Sequence, residues 1–498
     1  YKCVEVVAII VKNAIKVRKW RLLALNKSTQ IRRMPDAIFP FYNEYLMKQQ
    51  FSLRASVCLA LATLASSSAL AAGFQVNEHS ANGLGRAMAG QAAKPENASI
   101  LATNPAAIGV FKEAEFSASV SFIDPNVDID GDVSYALGEA PVGQPMPAAE
   151  DNIADTAFVP GFFYVSPINE KLSAGVGVFT TYGLRSDYSD DFGALHFADT
   201  AEVKTVTLNP AVSYKVNKQL MVGFGLNITY AEAEIGSGVS NTLAGTVAGL
   251  APTAEALGIT LPTLTPGNSL FSMEGDDWGY GWNAGIFWQP TDMTNVALSY
   301  RAETKLELEG AVSSETPVFP INLNQPGSLD LNLAAITELA IDQKIDNQWS
   351  VQASVTFTDW STFEKLEANL EDGIDFLIKE ENFDDSWRAA LGVTYILNDE
   401  ITLRAGYAYD DGVVSVENRS LSIPDTDRHW FSGGMTYTVS EDTSIDVAYV
   451  FIDGREANID KDRTILSNVL PGTDFTTNFS GTQSATAHIL SVQMNTRF

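Results

Sequence analysis

The sequence predicts an all-β protein: a fourteen-stranded antiparallel barrel that spans a bacterial outer membrane, with a small N-terminal helical hatch in its lumen. Three observations predict it. Segments with a period of two recur along the chain, each with a large apolar face and a small or polar face. The connections alternate between short polar turns and long acidic loops. No stretch reaches the roughly 18 apolar residues that a spanning helix needs. Yet 45% of the 498 residues are hydrophobic and only 19% are charged. The formal net charge of −29 argues against a nucleic-acid partner, which requires a basic face.

The N-terminus reads as two segments that precede the mature chain. Residues 1–46 start at Tyr1 and carry scattered Lys and Arg without periodicity, as a non-translated or spurious extension would. Met47-Lys48 and Arg54 form a charged n-region, Ala55–Ala65 a short apolar run, and Ala69-Leu70-Ala71 a cleavage site. Residues 47–71 are thus expected to be a signal peptide, with Ala72 as the first mature residue. Cys58 follows Val57 inside the apolar run, which does not fit a lipoprotein. Removing 1–71 strips mostly cations and both cysteines, Cys3 and Cys58. A disulfide scaffold is excluded for the remainder.

The strands follow in order. In Gln219–Tyr230, Leu220, Val222, Phe224, Leu226, Ile228 and Tyr230 share one face; Gly223, Gly225, Asn227 and Thr229 share the other. Val351–Thr358, Ile401–Ala408, Ile445–Phe451 and Leu490–Phe498 repeat the pattern. Short turns are expected at 167–171, 217–218, 290–293, 346–348, 398–400 and 440–443. Long acidic loops are expected at 187–199, 235–276, 310–329, 361–385 and 454–483. With both termini on the periplasmic side, six turns imply fourteen strands. Trp278 and Trp288 lie ten residues apart on one face. At about 3.3 Å per residue and about 40° of tilt, they span roughly 25 Å, the height of an apolar band between aromatic girdles. A soluble sandwich would carry more charge on its polar faces.

Residues 72–113 precede the first strand, at 115–124, within a barrel of 114–498. They are rich in Ala, Gly and Asn, with helical spacing at Leu84, Met88 and Ala92. Too polar to face lipid, they are expected inside the barrel as a plug; a periplasmic tail is the alternative. One outer loop is unusual. Asn241–Gly258 places Leu243, Val247, Leu250 and Leu257 at helical spacing, an apolar patch that either binds a ligand or packs on neighbouring loops. Strand parity turns Arg388, Arg301 and Arg404 inward, where each either holds a ligand carboxylate or pairs with a lumenal acid. His79, His196, His429 and His488 lie in different elements, and no metal-binding, nucleophile-elbow or phosphate-loop motif is present. No enzyme activity, cofactor or metal is expected. His429 near Asp425 and Asp427 leaves a lipid hydrolase as an alternative from another class, with a surface adhesin as a second.

Several segments then resemble the FadL family of outer-membrane long-chain fatty acid transporters. Ala72-Gly73-Phe74-Gln75 and Ser80–Gly90 resemble its N-terminal hatch, and Asn104-Pro105-Ala106 its NPA motif. Thr358-Asp359-Trp360-Ser361, Trp387-Arg388 and Asn418-Arg419-Ser420 are further similar segments. The strongest is Ile423–Trp430, reading IPDTDRHW. Asp411-Gly412 departs from the Ser-Pro pair that members often carry there. The resemblance implies a hatch whose gate residues would include Phe74, Asn104, Pro105 and Ala106. It implies a hydrophobic groove in the outer loops and a pocket inside. It also implies a kinked third strand with a lateral opening, here beside Gly175 and Gly177.

The expected function is diffusion-driven uptake of hydrophobic compounds across the outer membrane, with long-chain fatty acids first. Aromatic or other hydrocarbons are the alternative within the family. Expected partners are the hydrophobic ligand, outer-membrane lipid and lipopolysaccharide, and the barrel assembly machinery through Phe498. The chain is expected to be a monomer.

Overall fold

The computed structural model describes residues 73–498, apart from 317, 320 and 471. The expected extension, signal peptide and cleavage site at 1–72 lie outside the described residues. The fold is a closed barrel of 14 antiparallel strands. They are β1 (Glu115–Leu137), β2 (Ala157–Pro167), β3 (Leu172–Phe179 and, after a break, Gly183–Asp187), β4 (Thr200–Lys215) and β5 (Leu220–Gly238). Next come β6 (Ser269–Thr291), β7 (Thr294–Arg301 and Thr304–Ser313), β8 (Gln325–Leu333 and Ala335–Lys344) and β9 (Trp349–Asp359 and Lys365–Leu370). The last are β10 (Asp375–Glu380 and Ser386–Ile396), β11 (Ile401–Asp410), β12 (Arg428–Ser440), β13 (Thr443–Gly454 and Ala457–Leu470) and β14 (Thr473–Arg497). Each pairs with its neighbour in sequence, and β1 pairs with β14 from Glu115↔Arg497 to Leu137↔Phe475. Closure removes the edges whose unpaired amides a hydrocarbon environment would penalise. No helix among the described residues is long and apolar enough to cross a membrane.

The period of two orients the wall. On β5, Phe224 and Leu226 face out while Asn227 and Thr229 are buried inward. Trp278, Tyr280, Trp282 and Trp288 of β6 are all exposed on the outer face. The six short turns fall where the sequence places them. The long connections differ from the expected loops. β1 runs on to Leu137. Much of 361–385 and 454–483 is ladder: Lys365–Leu370 pairs with Asp375–Glu380, and Ala457–Leu470 with the start of β14. One face of this outer ladder stays buried: Leu366, Ala368 and Leu370 pack into an apolar cluster of the loops while Lys365, Glu367 and Asn369 point away from it.

Residues 73–111 lie against inward-facing residues of the wall. Their helical spacing yields only one turn, α1 (Ala81–Leu84), followed by three short 3-10 turns. Ala87 and Met88 enter the left-handed region with φ of 51° and 57°, so the expected helix stops there. Arg86 explains the reversal. Its buried guanidinium donates to the Asn82 and Ala89 carbonyls and to Gln91 Oε1, gathering the backbone around itself.

Candidate functional site

The hatch segment is held on every side. Asn104 Oδ1 accepts from the Ala106 amide, while its Nδ2 donates to the Ala92 and Ile286 carbonyls. Ser213 Oγ on β4 donates to the Ala106 carbonyl at 2.7 Å. Gly223 and Gly285 make room for this turn: a Cβ on Gly223 would lie 2.2 Å from the Ala106 nitrogen. Opposite, Lys94 Nζ reaches Asp342 Oδ1 and Ser350 Oγ, both at 3.1 Å. Glu96 accepts from Arg86 at 2.7 Å and from Arg404 at 3.0 Å. Burial pushes the Glu96 carboxyl up, but Arg404, Arg86 and Lys94 together hold it well below the usual carboxylate range.

A cavity of about 60 Å³ separates the hatch from the wall. Its lining includes Arg301, Arg388, Glu338, His79, Phe179 and Met88. Pockets that enclose a drug-sized ligand measure roughly 300–1,000 Å³, well above this volume. Both cations are engaged with hatch carbonyls: Arg388 donates to Ala87 at 2.9 Å and Arg301 to Ala102 at 2.6 Å. Arg388 also stacks over Trp430, 4.7 Å from the ring centroid. On the hatch beside them, burial raises the Glu78 carboxyl to about 7 and lowers His79 to about 3.

A second cavity, about 280 Å³, opens among the outer loops. Phe197, Ile235, Phe271, Ile378 and Leu421 form an apolar wall, and Lys379, Lys461 and Arg463 supply three cations beside two acids, Glu380 and Asp462. Lys379 pairs with the buried Glu381 at 3.1 Å. Lys461 donates to the Glu417 carbonyl at 2.7 Å, and Arg463 donates to the His196 carbonyl. An anionic head on an apolar tail matches this division of surface.

The wall is interrupted at Thr180–Tyr182. Below the break, β3 pairs with β2 through Phe162↔Val178 to Pro167↔Ser173. Above it, Gly183–Asp187 pairs with β4, and among the described residues no ladder joins it to β2. The hatch fills in from inside: the Val76 amide donates to the Thr181 carbonyl at 2.7 Å, and the Gly183 amide to the Phe74 carbonyl at 2.8 Å. Phe74 sits in an aromatic cage, 4.6 Å from Trp360, 5.5 Å from Phe363 and 5.9 Å from Tyr182.

Residues 62–498 match the model of the outer membrane protein transport family, OMPP1/FadL/TodX. The chain belongs to this family. It is 35% identical over 433 residues to the long-chain fatty acid transport protein of Escherichia coli K12, covering 83% of this chain and 95% of that one. It is 33% identical over 451 residues to outer membrane protein P1 of Haemophilus influenzae, covering 87% and 97%. Among solved structures, a Pseudomonas aeruginosa FadL homologue superposes with TM-score 0.72 at 23% identity, covering 86% of this chain and 100% of that one. The Pseudomonas putida toluene transporter TodX superposes with TM-score 0.58 at 16% identity, covering 86% and 100%. The last two likenesses concern the fold. The protein is an outer-membrane transporter of hydrophobic compounds.

In this FadL-family barrel the expected site residues are distributed as follows. Arg388 and Arg301 share the inner cavity. Arg404 lies elsewhere, tied to Glu96 and close to Asp446. Leu243 and Val247 sit on α2 (Asn241–Ala256), 0% and 2% exposed, packed against neighbouring loops; Leu250 is partly buried and Leu257 is 61% exposed. Of the two readings of this loop, packing describes Leu243 and Val247. Gly175 and Gly177 sit in intact ladder and face Leu101 of the hatch; the interruption begins three residues beyond Gly177. His429 takes no carboxylate partner from the Asp425 side. Asp425 accepts from the Gly73 and Val413 amides and pairs with Arg428, whereas Tyr407 Oη contacts His429 Nδ1 at 2.8 Å. Sequence reasoning missed Lys379, Lys461 and Arg463. All three lie on ladder segments, Lys379 on β10 and the other two on β13, that fall within stretches read from sequence as long acidic loops.

Proposed function

We propose that this barrel takes up long-chain fatty acids, with the outer-loop cavity as the receiving site and residues 73–113 as a plug. The observation that carries the reading is an apolar wall beside a polar side on which three cations, Lys379, Lys461 and Arg463, outnumber two acids, Glu380 and Asp462. A carboxylate head faces Arg463 and Lys461 while the tail lies along Phe197, Phe271 and Ile378. The relatives at 35% identity named for long-chain fatty acid transport support the same choice of ligand. The ligand then passes to the inner cavity, where its carboxylate competes with the Ala87 and Ala102 carbonyls for Arg388 and Arg301. Exit follows the interruption between β2 and β3.

The test is ligand binding to purified protein. Arg463→Met should weaken oleate binding by roughly 30-fold, the loss expected when about 2 kcal/mol of charge pairing is removed. Binding of oleyl alcohol should change little. Equal weakening of both ligands would make Arg463 a loop-packing residue. Toluene binding tighter than oleate would favour the aromatic reading instead.

A further inference from the structure

We propose that Glu381 is the internal counter-ion of the outer-loop cavity, holding Lys379 back from it and yielding that cation to an anionic ligand when Glu381 takes up a proton. The inference rests on the uptake reading above and adds the condition under which the receiving site binds. Lys379 lies on the outer piece of β10, beyond the membrane span, and its stem lines the cavity. Its ammonium does not open into that space. Nζ is covered and makes no hydrogen bond. It sits instead 3.1 Å from Glu381 Oε1, in an ion pair whose acid is fully buried.

The two partners differ in freedom. The Glu381 and Asn382 amides both donate to the Glu364 carbonyl, at 2.9 and 2.8 Å. Asn382 then enters the left-handed region with φ of 44°, and Phe383 is buried next to it. The acid is therefore fixed, while the flexible four-carbon stem of lysine lets the ammonium swing. Apart from the ion pair, neither carboxylate oxygen of Glu381 receives a hydrogen bond. A buried carboxylate with so little support is held weakly in its charged form. Burial accordingly raises the Glu381 carboxyl above its ordinary value, against the pull of Lys379 and of Lys461 on β13. Burial lowers Lys379; Glu381 opposes that, and Lys461 and Arg463 of β13 add to it. Glu380 acts on Lys461 from the same piece of β10, and Asp462 lines the cavity beside them. Once neutral, Glu381 no longer compensates Lys379, and a buried ammonium without a counter-ion is costly. An anion in the cavity supplies the missing charge. Each anion bound in this way is accompanied by one proton taken from solvent onto Glu381.

Glu381 thus acts through Lys379, as a positioning residue, and a pH profile separates that role from a structural one. The test is equilibrium binding to purified full-length protein. Hexadecanesulfonate serves as the probe, because its head stays ionised throughout, and oleyl alcohol as the neutral control. The parent should bind the sulfonate about tenfold more tightly at pH 5.5 than at pH 7.5, within the tenfold per pH unit that one linked proton allows. Glu381→Gln, uncharged at either pH, should bind it tightly at both, and Lys379→Met weakly at both. Oleyl alcohol should change by less than about twofold in all three proteins. A flat profile in the parent would overturn the proposal, and that measurement stands even if a variant fails to fold. A pH dependence that survives in Glu381→Gln would overturn it too, assigning the effect to another group such as His196, whose carbonyl Arg463 holds. An equal response of the alcohol would reduce the effect to loop folding and sink the counter-ion role. The uptake reading fails differently: sulfonate binding indifferent to both Arg463→Met and Lys379→Met would put the receiving site elsewhere. Binding weakened by Arg463→Met but independent of pH would remove only the role of Glu381.

Discussion

His196 is a single side chain on which three outer segments converge. Its Nδ1 meets Ser240 Oγ at 3.0 Å, and its Nε2 meets Thr477 Oγ1 at 3.1 Å. Ser240 is the N-cap of α2, so the ring fixes the start of that helix against β14. Burial lowers the imidazole from 6.5 to about 3, and the Arg463 guanidinium acts in the same direction. Between those values the unfolded loop binds a proton that the folded loop does not. Loop stability is therefore full above pH 6.5 and declines as pH falls toward 3, by roughly 1 kcal/mol per pH unit. Protease cleavage within 241–258 should accelerate as pH drops from 7 to 4.5. His196→Asn should cleave faster at neutral pH and show a flatter profile. A wild-type rate independent of pH would remove His196 as the controlling group.

At the scale of elements, the hatch depends on glycines that allow its backbone to touch the wall. Gly223 meets Pro105 and Ala106, and Gly285 meets Asn104. Gly223→Val should push the Asn104-Pro105-Ala106 turn inward, with an overpacking cost of about 1–3 kcal/mol. Limited proteolysis should then cut within residues 90–110, sites that are buried in the parent. Val222→Ala, one residue away but facing outward, should leave the hatch resistant. Cleavage of neither variant would show that the turn tolerates displacement. The same contrast explains what the sequence displays. Val222 and Gly223 alternate because one meets lipid and one meets the hatch, so strand, parity and inner face are readable from period alone. The hairpin at Lys365–Glu380 falls within an expected loop although Leu366, Ala368 and Leu370 alternate with polar residues, because its apolar face is covered by other loops and the segment is too short and acidic to stand out as a spanning strand. The reversal at Ala87 and Met88 is set by Arg86 reaching back to carbonyls, a contact that no helical periodicity encodes. Arg388 was legible as inward-facing, but its bond to the Ala87 carbonyl depends on where the hatch comes to rest. The break at Thr180–Tyr182 was legible as a feature of the third strand only through the family, and its position follows from Thr205, whose Oγ1 donates to the Tyr182 carbonyl at 2.6 Å and receives the Tyr182 amide.

For the molecule as a whole, barrel and hatch make unequal demands on each other. The barrel closes through β1 and β14, a ladder that runs the full length of both strands without any hatch residue. The hatch has no comparable ladder of its own: α1 is four residues long, and its remaining turns are 3-10. Too short to fold alone, it takes its shape from the wall. Inward polar groups such as Asn209, Asn283 and Gln352 are buried under the plug or bonded to one another, and all can turn to water if the lumen floods. Deleting 76–104 should therefore leave a barrel that inserts and resists unfolding in SDS at room temperature. Its thermal midpoint should fall, because the Lys94–Asp342 and Glu96–Arg404 pairs and the apolar contacts of the plug are lost. Ion conductance in planar bilayers should rise above that of the parent, since the lumen is then open to water. A deletion protein that fails to form an SDS-resistant barrel would show that the wall needs its contents to fold. A folded deletion protein that does not conduct would place residues 76–104 outside the conduction path altogether.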